Sequence, residues 1–209
     1  MQGASLTERR KAATRWDIAR TAAALFVENG LRATRAEDIA RAAGIAPRTL
    51  YRYCATKEEA VAPLFAVGSQ QWVEAVRDAP HTLSLPDALR YAAARTLAAA
   101  PGDTQGTESL EWVRSLLRMA ADSPALRSVW NDACRESEAT LATVLAARAG
   151  LPADAGTLDI RLTAATAGAA VRVAVETWAA SDAPATGPEG PAALAERCLA
   201  STAGASRSV

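Results

Sequence analysis

Histidine occurs once in this chain, at His81, and cysteine three times, at Cys54, Cys134 and Cys198, far apart and in no C-x-x-C pairing. A zinc site needs close-spaced ligand pairs, and this set supplies none. Uncharged apolar runs are missing too. The most apolar late stretch, 158–180, is broken by Arg161, Arg172 and Glu176, and the N-terminal "MQGASLTERRKAATR" lacks the apolar core of a signal peptide. These absences make a soluble, reduced, cytoplasmic protein without metal or cofactor the expectation. No nucleophile elbow, phosphate loop or metal pair is found, so no enzyme is expected; His81, beside Thr82 and Ser84, reads as part of a helix-capping loop. Lysine occurs only at Lys11 and Lys57, the remaining basic residues being arginine, which reflects genome composition. Alternating β-branched runs, the mark of strands, are absent.

What is present is helical period and alanine, the best helix former. The pattern predicts about nine helices in an all-α fold: 7–28, one opened by a Thr34-x-x-Glu37 capping box and ended by Gly44, 46–53, 57–79, 86–100, 108–121, 124–149, 157–181 and 191–201. Pro63 inside the fourth predicts a kink or a late start. "PGDTQGT" and "SDAPATGPEGP" read as loops, and 204–209 as a disordered tail. The formal charge of zero conceals an asymmetry: residues 1–57 hold 11 Lys+Arg against 5 Asp+Glu, net +6, and the remainder 12 against 18, net −6. A basic head on an acidic body suggests a polyanion partner for the head.

Two short helices joined through Gly44 make a helix-turn-helix. Ile39, Ile45 and Leu50 would pack inside it, with Ala40 small at the crossing. Pro47, Arg48, Thr49, Tyr51, Arg52 and Tyr53 then have no core to fill, and they are the residue types that grip guanine edges, phosphates and thymine methyls. A bundle corner with solvated arginines is the alternative.

"LFVENGLRATRAEDIARAAGIAPRTLYRYCATKEEAV" resembles the N-terminal domain of the TetR/AcrR family of transcriptional regulators. The likeness lies in Phe26, Gly30, Thr34, Asp38-Ile39-Ala40, Ala43-Gly44-Ile45, Thr49-Leu50-Tyr51, Tyr53 and Lys57, across about residues 12–65. Cys54 stands where the family usually has phenylalanine and Ala60 where it has leucine. The resemblance implies a helix-turn-helix domain, 1–56, on a helical effector-binding and dimerisation bundle, 57–203. It implies phosphate contacts by Thr49, Tyr51, Tyr53 and Lys57, base contacts by Pro47, Arg48 and Arg52, and backbone contact near Thr34 and Arg35. The basic segment Arg9, Arg10, Lys11 and Arg15 is either an arm along DNA or a solvated tail. Partners would be a double-stranded operator, a small-molecule effector and a second copy of the chain, with no membrane.

In the body, Leu158, Leu162, Ala165, Ala169 and Val173 share one helical face, and Ala164-x-x-x-Gly168 permits close backbone approach. Both a subunit interface and a buried core helix fit this. Trp112, Leu116 and Met119 share a face, as do Leu126, Trp130 and Cys134, serving as pocket lining or as core. Arg95 and Arg172 offer polar handles, or pair with Glu111 or Glu176. The reading is a ligand-responsive repressor; an architectural or interaction protein, or an all-α enzyme, are the alternatives.

Overall fold

Side-chain caps start several helices where the sequence places them. Ser84, Ser123 and Thr157 each accept a hydrogen bond, at 3.3 Å, from the backbone N–H three residues on. The computed structural model describes residues 5–98, 104–152 and 157–205, with the backbone alone for 104–109 and 203–205. Among these, nine α-helices and no strand form: α1 (Leu6–Asn29), α2 (Ala36–Ala42), α3 (Pro47–Leu50), α4 (Ala62–Arg77), α5 (Leu85–Leu97), α6 (Thr104–Ala121), α7 (Pro124–Arg148), α8 (Leu158–Ala180) and α9 (Pro191–Ala205). No helix among the described residues is long and apolar enough to cross a membrane.

Several boundaries differ from the sequence reading; the third helix, expected over 46–53, is α-helical only over Pro47–Leu50, and the one expected over 86–100 ends at Leu97. Of the two outcomes expected of Pro63 in the 57–79 helix, a kink or a late start, the late start is found: α4 begins behind a 3-10 turn at Glu59–Val61, so Pro63 falls in its first turn, where its missing N–H costs nothing. α2 opens one residue later than the Thr34/Glu37 box. Its N-cap is Arg35, and the carboxylate that accepts the Arg35 N–H, at 3.0 Å, is that of Asp38. α6 begins at Thr104 inside the expected loop: Gly106 weakens a helix by about 1 kcal/mol relative to alanine without stopping it. α9 runs to Ala205, past the expected end; of the tail, 206–209 lies outside the described residues.

α1, α2 and α3 form a head around Phe26, Ile39 and Leu50, all fully buried. α4 to α9 form the body, in which α8 packs against α6, α7 and α9, and α4 against α5 and α7. Apolar packing runs without a break from the head through Val61 and Phe65 into the body, where Phe65 meets the Trp130 ring edge-on at 5.2 Å. The head is therefore coupled to the body by core, not by a free linker.

Candidate nucleic-acid interface

The turn between α2 and α3 closes through backbone alone. The Ile45 N–H bonds to Ala40 O at 2.9 Å and the Gly44 N–H to Arg41 O at 3.1 Å, with Gly44 at φ +68°, a left-handed conformation that a side chain disfavours. α3 has one α-helical turn, then tightens: Tyr53 N–H bonds to Leu50 O at 2.8 Å and Cys54 N–H to the same carbonyl at 3.1 Å. Tyr51, Arg52 and Tyr53 thus follow in a continuous coil beyond the helix proper. Leu50 and Cys54 pin this coil from below, and the Cys54 thiol donates to Leu50 O at 3.6 Å. Burial, with the Glu59 carboxylate nearby, raises the Cys54 thiol above its ordinary range.

The outward face carries Pro47, Arg48, Tyr51 and Arg52, all exposed, with Thr49 and Tyr53 half-buried at its edges. Arg48 and Arg52 have no hydrogen-bond or ion-pair partner among the described residues, and neither has the exposed guanidinium of Arg35. The body treats arginine differently. Arg90, Arg135 and Arg172 pair with Asp87, Asp132 and Glu176, and Arg118 and Arg148 bond to backbone carbonyls. Arg161 is an exception. Uncommitted guanidinium groups therefore concentrate on the head, whose net charge of +6 over residues 1–57 favours an outside anion.

Two residues expected at DNA face inward instead. Thr34 is 2% exposed, and its hydroxyl is shared between the carbonyls of Leu25, at 3.1 Å, and Gly30, at 3.0 Å. A buried hydroxyl must be satisfied inside the fold, and these carbonyls at the end of α1 are the available acceptors. Lys57 donates through Nζ to Leu31 O at 2.6 Å and Thr34 O at 2.8 Å. It clamps the α1–α2 loop to the segment leaving α3. Sequence reasoning missed this clamp because it spans 23 to 26 residues and involves carbonyls, which carry no sequence signal.

The residues expected to line one pocket are divided among separate places. Leu116 is fully buried in the core. Trp130 is core too, its indole N–H donating to Glu176 at 2.7 Å, while Trp112 and Met119 are half-buried against the same core. Arg95 lies in an open groove of about 650 Å³ between α4 and α5, donating to the Tyr91 hydroxyl at 3.2 Å; Glu111 pairs with Arg114 instead. Cys134 and Arg172 line a second groove, of about 560 Å³, between α7 and α8. Burial pushes the Cys134 thiol up to about 12, so it is no thiolate at neutral pH.

α8 presents Leu158 at 78%, Leu162 at 61% and Val173 at 45% exposure, with Ala169 also exposed and Ala165 half-buried. Gly168 does not belong to this outer row. A Cβ there would meet Glu138 of α7 at 3.9 Å, and Ala164 is fully buried, so the small-residue pair eases packing within the chain rather than between subunits.

Residues 18–62 match the family model for "Bacterial regulatory proteins, tetR family", and residues 83–189 match that for the "MftR C-terminal domain". The HTH-type transcriptional regulator TcmR of Streptomyces glaucescens is 29% identical over 154 residues, covering 73% of this chain and 67% of that protein. The HTH-type transcriptional repressor KstR2 of Mycobacterium tuberculosis is 46% identical over 59 residues, covering 28% of this chain and 29% of KstR2. Among solved structures, GusR of Salmonella enterica superposes with a TM-score of 0.56 at 18% identity, covering 92% of this chain and 94% of GusR. Thermus thermophilus FadR, a repressor solved with lauroyl-CoA, gives 0.54 at 21% identity, covering 89% and 91% of the two chains.

Proposed function

The chain belongs to the TetR family of bacterial transcription regulators, and we propose that it is a homodimeric repressor whose α3 reads an operator and whose body lets go of it when a small molecule binds. Division into a reading head, 1–56, and a responding body, 57–203, is part of this proposal. The observation that carries it is the set of unpaired arginines around a helix-turn-helix whose every backbone turn is closed. Arg48 and Arg52 are the base-reading residues. Thr49, Tyr51, Tyr53 and Arg35 hold phosphates, and Pro47 lies against base edges. The exposed row on α8 is the subunit contact, because a two-fold repressor needs two heads at a fixed spacing. KstR2 and FadR are named repressors, and FadR was solved in complex with lauroyl-CoA, which supports an effector-responsive reading.

Footprinting upstream of the protein's own gene supplies the operator, and fluorescence anisotropy then compares it with a scrambled duplex across a salt series. Each bidentate arginine–guanine contact is worth about 1–3 kcal/mol of discrimination. Arg52→Ala and Arg48→Ala should therefore weaken operator binding roughly 5- to 100-fold beyond their effect on scrambled DNA. Equal losses on both duplexes would make the arginines mere charge, and wild-type binding without sequence preference would make the protein architectural.

A further inference from the structure

The cations of the body are almost all answered within the chain. Every described arginine from Arg77 to Arg197 has a hydrogen bond or an ion pair except Arg161, which stands exposed on α8. The groove of about 560 Å³ between α7 and α8 holds the complementary exception. Its own cations are matched, Arg135 by Asp132 and Arg172 by Glu176. Glu138, half-buried on α7, has neither cation nor hydrogen bond among the described residues. A carboxylate that loses water without gaining a partner is destabilising, so a surface closing over this groove must bring it a cation.

Within one chain the two charges stay apart. Arg161 and Gly168 share a face of α8 but lie two turns, about 10 Å, from each other along the axis, and Glu138 stands beside Gly168. α7 and α8 run antiparallel, since Trp130 bonds to Glu176 while Glu138 meets Gly168. The exposed row of α8, from Leu158 to Val173, has its midpoint between Ala165 and Thr166. A two-fold axis crossing α8 there sets the two α8 helices antiparallel and lays the α7 side of one copy against the α7 side of the other. Position 161 then falls opposite position 170 of the partner, within one turn of Gly168 and so of Glu138. An axis running along α8 would leave the levels of Arg161 and Glu138 two turns apart.

Resting on the reading of α8 as the subunit contact, we propose that Arg161 of each copy crosses into the partner's α7–α8 groove and pairs with Glu138. The groove is a seat for a second copy of this chain, incomplete until the partner's guanidinium fills it. Ala165, Gly168 and Ala169 line its α8 wall, and their small size leaves room for that planar group. Two such pairs per dimer fix the register of α8 against its mate and bring α7 into the interface.

The test is charge reversal in the full-length protein, read by sedimentation equilibrium at low salt. Arg161→Glu and Glu138→Arg should each weaken self-association roughly tenfold or more, because each homodimer then holds two like-charged pairs. Mixing the two variants restores both pairs, since the two reversed positions face each other, as do the two native ones. Differently tagged copies should therefore form mixed dimers well above the statistical half. The doubly reversed chain should dimerise like wild type. A pair made within one chain would be rescued by that double variant but not by mixing. Rescue by the double variant alone, or single variants as tightly dimeric as wild type, would overturn the proposal. Should Glu138→Arg lose its helical circular dichroism signal, a cycle of Arg161→Gln and Glu138→Gln replaces it. Once either is made the other must weaken the dimer no further, and additive losses would overturn the pair. A wild-type chain that stays monomeric overturns the subunit contact itself; a dimeric wild type whose variants show no preference for mixing overturns the pairing alone.

Discussion

Lys57 holds two carbonyls, of Leu31 and Thr34, that have no other partner among the described residues, and Thr34 in turn closes onto the end of α1. Hydrogen bonds from a charged donor contribute about 1.5–3 kcal/mol when buried and less when water can replace them. Lys57 is half-buried, so Lys57→Met should cost about 2 kcal/mol of unfolding free energy in a urea titration. It should leave the salt dependence of DNA binding unchanged. An unchanged urea midpoint with a flatter salt slope would instead restore Lys57 to the phosphates. Cys54 and Ala60, both buried, show why family departures at these positions are tolerated: each sits under the head, where a smaller side chain changes packing without touching the outward face.

At the scale of elements, the head depends on the turn that sets α3 against α2. Nothing lies within 4 Å of where a Gly44 Cβ would stand, so substitution there meets backbone strain and no clash. The left-handed conformation costs an L residue roughly 1–2 kcal/mol. Gly44→Ala should lower stability by about that much, read as a shift in thermal midpoint, and leave operator affinity close to wild type at temperatures where the head stays folded, because α3 keeps its place. Loss of stability well above that range would mean that the turn had repacked. The body has its own fastening. Arg118 bonds to the carbonyls of Ala179, at 2.8 Å, and Ser181, at 2.5 Å, and the Arg114 guanidinium lies 4.0 Å over the Trp178 ring. Cations belong at a helix C-terminus, where the free carbonyls carry partial negative charge, and here they tie α6 to the end of α8. α6 also touches α1, so this fastening lies between the proposed subunit contact and the head.

For the whole molecule, the exposed row of α8 is the feature a monomer in water explains least. α9 turns Glu196 and Arg197 outward, so the apolar contribution to an interface comes from α8. A stable obligate dimer buries roughly 2,000 Å² or more in total. Leu158→Glu combined with Leu162→Glu should give monomers in light scattering with the helical circular dichroism signal retained, since both side chains are exposed and neither supports the core. The same variant should lose most operator affinity, because one head alone reads half a site. A double variant that stays dimeric would move the interface elsewhere.

Helical period, caps and breakers act between residues three or four apart, and that is why the all-α class, the helix-turn-helix and the outward set from Pro47 to Arg52 could be read from the amino-acid order. Gly44 and Leu50 sit where that reading put them, one with positive φ, the other buried. The inward turn of Thr34 and Lys57 was decided otherwise, by carbonyls that meet them only after the chain has doubled back. The division of Trp130, Cys134 and Arg95 among core and two grooves, and the facing of Gly168 toward α7, depend on how neighbouring helices are rotated about their axes. One helical face can be buried against α7 or left to a second subunit with the same pattern of small and apolar residues. Only the packing of α4 to α9 chooses between them, because burial is a property of what stands opposite and not of the residue itself.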